Sequence, residues 1–330
     1  MRRVPTTTRT IAILSALLAL TWFARANPTA QAPTDDPVRT ADINVRGLAR
    51  SDFPRVHQLA ENIYVYAGLQ RRTDIEMEFT TNNLIVVTSD GVLVADGQIN
   101  ETDTRQLIAA IEMLTPQPIT HVVVGSDHND HVGGNAAFPA DTMFIAHPTS
   151  KAVIEQRNAD AALAGSPARV PVPTELVSDT QVLVLGDTEI QVLFLGRAHT
   201  GGDLSVYLPA ENILFMSEAY FNRLFPSLYR GYPTEWIATL RKAEAMNAMI
   251  YVPGHGFIDS PRVLMEELVS FREALETVVS EGYRLRAAGV PLQRAPRSVI
   301  LGPFGYWTRT AHNLPDALGR VYAEAAGALP

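Results

Sequence analysis

The chain has no cysteine among its 330 residues. That excludes disulfides, thiolate metal ligation and anchoring through a lipidated cysteine, so any metal must be held by His, Asp or Glu. Charged residues are sparse at 19%, while 46% are hydrophobic, which excludes a broadly disordered chain and leaves enough apolar material for a core. Positive charge is in deficit. Four of the 27 basic residues lie in the first 26 positions, and beyond them 23 basic residues face 35 acidic ones, a formal charge of −12. A surface of that sign disfavours nucleic acid as a partner. Long apolar runs are also lacking, since the stretch from Ile11 to Ala24 is short for a membrane span.

That stretch has its own meaning. Arg2, Arg3 and Arg9 precede it and Ala24-Arg25-Ala26 ends it, giving a basic start, an apolar centre and a small-x-small cleavage site. The expectation is a signal peptide over 1–26, cut after Ala26, with a periplasmic or secreted product and no stable membrane span after cleavage. An uncleaved N-terminal anchor is the alternative. Residues 27–52, rich in Pro, Thr, Ala and Asp, read as a flexible leader, and 53–330 as the folded domain.

Within the domain, β-rich runs alternate with helical patterns. Strands are expected at Ile63–Ala67, Asn83–Thr88 and Val92–Ala95, the last two joined by a Ser89-Asp90-Gly91 turn. A helix follows over Asp103–Leu114, with Thr102 as N-cap and Pro116 as stop. Strands His121–Val124 and Thr142–Ala146 precede a helix from Thr149 to Arg157 and a proline-punctuated loop over 158–180. Four more strands (Gln181–Leu185, Glu189–Leu195, Leu204–Leu208, Ile213–Met216) precede a helix over Thr234–Asn247, strand Ile250–Val252 and a long helix over Pro261–Ala288. Two batches of strands, each followed by helices, suggest packed sheets with helices outside. Leu264, Leu268 and Phe271 recur at helical spacing and are expected to pack on a sheet, with a homodimer interface as the second reading.

The most informative stretch is Ser126-Asp127-His128-Asn129-Asp130-His131-Val132-Gly133-Gly134. It crowds His128, Asp130 and His131 into four residues, directly after the apolar run Val122-Val123-Val124. Imidazole with carboxylate suits zinc, and iron or manganese less well. Three more strand ends carry ligand types: His199 in Ala-His-Thr-Gly-Gly, Glu218 in Phe-Met-Ser-Glu, and His255 in Pro-Gly-His-Gly. Asp96, before Gly97, ends an earlier strand. Glycines beside the histidines fit a backbone that bends sharply to aim each ring at a shared centre. Taken singly, each motif is also an ordinary polar turn.

Together, in this order, they resemble the metallo-β-lactamase fold superfamily, whose members carry His-x-His-x-Asp-His, a His in a Gly-His-Thr loop, a bridging Asp and a Pro-Gly-His. The resemblance covers roughly residues 55–290. It implies an α/β protein, an αββα sandwich of two mixed β-sheets flanked by helices, with a metal-dependent hydrolase site at one edge. The first-metal ligands would fall on Ser126, His128 and His199, the second-metal ligands on Asp130, His131 and His255, the bridging acid on Glu218, and the supporting carboxylate on Asp96.

Two positions depart from the pattern. Ser126 stands where the first His belongs, and a hydroxyl is a poor zinc ligand. Glu218 replaces an Asp and is one methylene longer. The second site is therefore expected to fill first and the first to bind weakly, giving one or two Zn²⁺, with iron as the alternative ion. Asp127 is a weak candidate to rescue the first site. The resemblance implies hydrolysis of a small ester, lactone, thioester, β-lactam or sulfate-ester by water activated on the metal, with Asp130 orienting the nucleophile. The alternatives are a non-catalytic metal- or ligand-binding protein and a single-iron thiol dioxygenase. Tyr220, Asn222 and Arg223 are candidate substrate contacts, and Phe79-Thr80-Thr81-Asn82-Asn83 a candidate lid.

Overall fold

The structure, a computed structural model, describes Met1 and residues 37–70, 78–166 and 169–330. The expected signal peptide beyond Met1, and the leader up to residue 36, lie outside the described residues. Among the described residues there are twelve strands and six α-helices. The strands are β1 (Arg55–Ala60), β2 (Ile63–Leu69), β3 (Thr80–Thr88), β4 (Gly91–Ala95), β5 (Ile119–Val123), β6 (Met143–Ala146), β7 (Glu175–Leu176), β8 (Thr180–Leu185), β9 (Thr188–Leu193), β10 (Ser205–Leu208), β11 (Ile213–Phe215) and β12 (Ile250–Val252). The helices are α1 (Glu101–Leu114), α2 (Asn129–Val132), α3 (Pro148–Leu163), α4 (Pro233–Ala245), α5 (Pro261–Ala287) and α6 (Thr310–Glu324).

The first sheet runs β1 to β7 in chain order, antiparallel through β4 and parallel from β4 to β7. The second has the order β12-β11-β10-β9-β8, with only β11 and β12 parallel. Period-two alternation explains how they stack. Leu84, Val86, Leu93 and Ala95 join Val192, Val206, Phe215 and Val252 in one buried cluster between the sheets. Their neighbours Ile85, Val92 and Val94 face the other way and pack with Leu107 and Ile111 of α1. On the far side, Leu193, Leu214 and Tyr251 pack under Trp236 and Leu240 of α4, Phe271 of α5 and Leu318 of α6. Both faces of β3 and β4 are covered, which is why those strands read as nearly continuous apolar runs. The result is the expected αββα layering of two mixed sheets.

Several local expectations need correction. Asn100, not Thr102, caps α1, its Oδ1 accepting from Asp103 N at 2.9 Å. Helix α3 runs on to Leu163 because Ala159, Ala161 and Ala162 favour helix and no breaker intervenes, and the expected loop beyond it also contains β7. Strand β1 and helix α6 were not anticipated. The first is a half-exposed edge strand with no apolar alternation, and the second has Pro315 inside it. Leu268 and Phe271 are buried against the core as expected, so packing alone accounts for that face of α5.

Among the described residues, the strands and helices all lie in a compact unit that begins at Val38. Ala41 and Ile43 are buried there. Arg39 pairs with Glu267 at 2.6 Å and Arg46 with Asp259 at 2.7 Å, so polar composition concealed a docked strap. Among the described residues no helix is long and apolar enough to cross a membrane.

Candidate metal centre

Five segments that follow β4, β5, β9, β11 and β12 bring the sequence-selected side chains to one place. Asp96 ends β4 with φ 67°. Such a left-handed backbone is tolerated by Asp better than by most residues, and here it turns the carboxylate under the centre. Its Oδ1 accepts from Gly125 N at 2.7 Å, and Oδ2 from His131 Nδ1 at 2.9 Å and Ser217 Oγ at 2.5 Å. Gly125 permits this approach, because a side chain there would strike Ser217. His128 is the residue before α2, whose single turn presents Asp130 and His131.

Two groups of ligand atoms result. Asp130, His131, Glu218 and His255 form one; His128, His199 and Glu218 form the other, with ligand atoms in each within 4.8 Å of one another. In three of the four imidazoles the outward nitrogen is committed to a protein acceptor. His131 Nδ1 donates to Asp96, His199 Nδ1 to the Ser227 carbonyl at 2.6 Å, and His255 Nδ1 to the Thr80 carbonyl at 2.8 Å. Those bonds place the proton on Nδ1 and leave each Nε2 lone pair facing inward. The inward atoms crowd: His131 Nε2 is 3.3 Å from His255 Nε2, and His199 Nε2 is 2.8 Å from His128 Nδ1. Glu218 Oε1 lies 3.2 Å from both His199 Nε2 and His255 Nε2. Converging acceptors repel unless a cation, metal or proton, sits among them. The donor set therefore fits metal ions, and imidazole with carboxylate fits zinc.

The electrostatics point the same way. Burial opposes protonation of His131, but the charges of Asp96, Glu218 and Asp130 outweigh it and push its pKa up to about 10. Burial likewise works against ionisation of Glu218, yet the surrounding His199, His128 and His131 hold its carboxyl well below the usual range. The site draws positive charge inward.

Not every predicted residue reaches it. Ser126 supports a ligand rather than serving as one: its hydroxyl donates to Glu218 Oε2 at 2.6 Å. Asp127 is buried away from both groups and pairs with Arg230 at 2.5 Å, so it does not rescue the first site. Tyr220 is fully buried with its hydroxyl on the Leu264 carbonyl, Asn222 donates to the Phe257 carbonyl, and Arg223 pairs with Glu267 under the fold. From this stretch it is Phe221 and Leu224 that line the cleft. The proposed lid is mostly strand. Thr80 to Asn83 belong to β3 and brace the His255 loop, with Asn82 Nδ2 on the carbonyls of Pro253 and Gly256, and only Phe79 lines the opening.

The cleft holds about 430 Å³ of open space and is lined by His128, Asp130, His199, Glu218 and His255, by Phe79, Phe221 and Leu224, and by Ser227, Arg309 and Asn313. Arg309 and Asn313 come from the start of α6, whose link to the site no local motif announces. Arg309 holds φ 66° and lies over the Phe79 ring, 4.9 Å from its centroid. Gln70 is the other addition, donating to Asp130 Oδ2 and to Thr81 Oγ1. It sits at the end of a plain strand and carried no signal.

The family pattern of the metallo-beta-lactamase superfamily matches residues 77–255, and the chain belongs to that superfamily, whose fold it has. Within the family the chain is 26% identical over 211 residues to a metallo-beta-lactamase type 2 of Bacteroides fragilis, covering 62% of this chain and 80% of that protein. It is 25% identical over 175 residues to the 2,4-dinitroanisole O-demethylase subunit alpha of Nocardioides sp. (strain JS1661), covering 52% of this chain and only 51% of that one. A metallo-beta-lactamase from Pontibacter korlensis superposes with a TM-score of 0.55 at 19% identity, over 66% of this chain and 98% of that structure. Such relatives indicate a hydrolase fold with metal-binding capacity.

Proposed function

We propose that the chain is an exported zinc-dependent hydrolase, periplasmic or secreted, acting on a small ester, lactone, thioester, β-lactam or sulfate-ester. The observation that carries this reading is the inward aim of three Nε2 atoms and two carboxylates onto one cleft. A zinc ion held there supplies Lewis acidity that activates water and polarises the substrate oxygen. His131, His255, Asp130 and Glu218 would hold one ion, and His128, His199 and Glu218 the other. Asp130, steadied by Gln70, is the carboxylate placed to orient the attacking water and accept its proton. Phe79, Phe221 and Leu224 exclude solvent from the apolar body of a substrate, and Arg309 is the guanidinium lining the cleft, on the side where an anionic group of the substrate would meet it.

A second reading has its own observation. The His128, His199 and Glu218 group is two imidazoles and one carboxylate, a donor set that also suits iron(II) and hence oxygen chemistry. Elemental analysis of protein purified without added metal, joined to a panel of nitrophenyl esters, lactones, aryl sulfates and a chromogenic cephalosporin, decides between them. Zinc with turnover of at least one member is expected. Iron as the native metal with no hydrolysis would replace the reading, and bound zinc with no turnover would leave a metal-binding protein.

A further inference from the structure

The two departures from the family pattern touch each other. Ser126 Oγ donates to Glu218 Oε2 at 2.6 Å, and both side chains are buried. That same oxygen lies 3.0 Å from His128 Nδ1, while Oε1 lies 3.2 Å from His199 and His255 Nε2 and 3.7 Å from His131 Nε2. One carboxylate thus presents Oε2 to the first group and Oε1 to both.

Chain length makes this reach possible. An aspartate from the same backbone would end roughly 1.5 Å short, one carbon–carbon bond. The backbone offers little adjustment, because Ser217 is held at φ 45° by its bond to Asp96 and Glu218 lies within a tight turn over Ser217–Ala219. A histidine at 126 would in turn occupy the space that Glu218 Oε2 now fills. The serine hydroxyl is small enough to leave that space open and is a donor aimed at the oxygen that fills it.

We propose that Ser126 and Glu218 are one functional unit: Ser126 positions the longer Glu218 carboxylate to serve as the third ligand of the first metal site, in place of the missing histidine, so that Glu218 bridges two ions. Ser126 is a positioning residue, acting only through Glu218. The inference rests on the metal-dependent reading above and is independent of whether any ester is hydrolysed.

The test is metal titration of metal-free wild type, Ser126→Ala, Ser126→His, Glu218→Asp and the Ser126→His/Glu218→Asp double variant. Cobalt(II) absorption and elemental analysis give stoichiometry and the two affinities without reference to turnover. Two ions are expected in wild type. Ser126→Ala should weaken the first affinity about 10-fold and leave the second unchanged, the effect usual for loss of a partner that orients a ligand. Glu218→Asp and Ser126→His alone should each reduce binding at the first site, and the double variant should restore it. A wild-type first site in Ser126→Ala, or single effects that merely add in the double variant, would overturn the proposal. Thermal melts of the metal-free proteins identify any variant that has failed to fold, and Ser126→Ala, the smallest change, then carries the decision alone.

Discussion

His131 Nδ1 lies 2.9 Å from Asp96 Oδ2, beneath the candidate centre and wholly out of solvent. The carboxylate can only accept, so the imidazole must keep its proton on Nδ1 and offer Nε2 to a metal. Asp96→Asn is nearly isosteric but presents an amide that can donate. The tautomer would then be free to reverse, and the loss expected for such a partner is about 10- to 100-fold in metal affinity at the second group. Isothermal titration of metal into the apo protein measures it. Wild-type affinity in a folded Asp96→Asn protein would show that the carboxylate does not set the tautomer.

Arg309 gives a prediction about substrate. It is the one Lys or Arg side chain among the described residues lining the cleft. Arg309→Gln should raise KM about 10-fold for a substrate bearing a carboxylate or sulfate, while a neutral analogue of the same body is little affected. Added salt should narrow the difference, because the site is open to solvent and charges there are screened. Equal effects on charged and neutral substrates would assign Arg309 to shaping the mouth over Phe79 rather than to binding an anion.

These two predictions differ in how far sequence could anticipate them. Asp96, His128, Asp130, His131, His199, Glu218 and His255 were legible because each follows a strand, all but Glu218 beside a glycine-marked turn, and turn chemistry is local. Their common destination followed from the order of the motifs. Arg309 was not legible, since it reaches the cleft only because α6 packs back on α5, a long-range event with no local trace. Tyr220, Asn222 and Arg223 show the converse error. They follow Glu218 closely in sequence, but Tyr220 and Asn222 are buried with their polar atoms on the Leu264 and Phe257 carbonyls, and Arg223, at φ 59°, turns to Glu267. The sheets were readable from apolar alternation; edge strand β1, with no fully buried residue and its one β-branched apolar side chain, Val56, exposed, was not.

The strap before β1 contributes to stability rather than to a tether. Ile43 is 1% exposed, and its neighbours Arg39 and Arg46 are tied to Glu267 and Asp259. Ile43→Ala is expected to cost roughly 2–5 kcal/mol, the range for emptying a buried aliphatic site. Urea denaturation with an unchanged m-value would report it directly. A loss under about 0.5 kcal/mol, the usual size of a surface substitution, would mean the strap is dispensable to the fold.

Asp203 sets a pH dependence. Burial pushes its pKa up to about 7 from an ordinary 3.8, against the opposing pull of His199 and of the hydrogen bonds from Thr200 N at 2.7 Å and Thr200 Oγ1 at 2.9 Å. The sign follows from proton counting. Below pH 3.8 both folded and unfolded chains hold the proton, and its favourable contribution is complete. Between there and about 7 the unfolded chain has released the proton while the folded chain keeps it, so folding stability falls as pH rises. Above the folded pKa the contribution is gone. Asp203→Asn cannot ionise and should flatten that slope, gaining stability relative to wild type by on the order of a few kcal/mol at pH 8 compared with pH 4. Denaturation of both metal-free proteins across that range, compared as a difference, isolates the group. A difference that does not change with pH would show that Asp203 is already ionised in the acidic range and held there by Thr200.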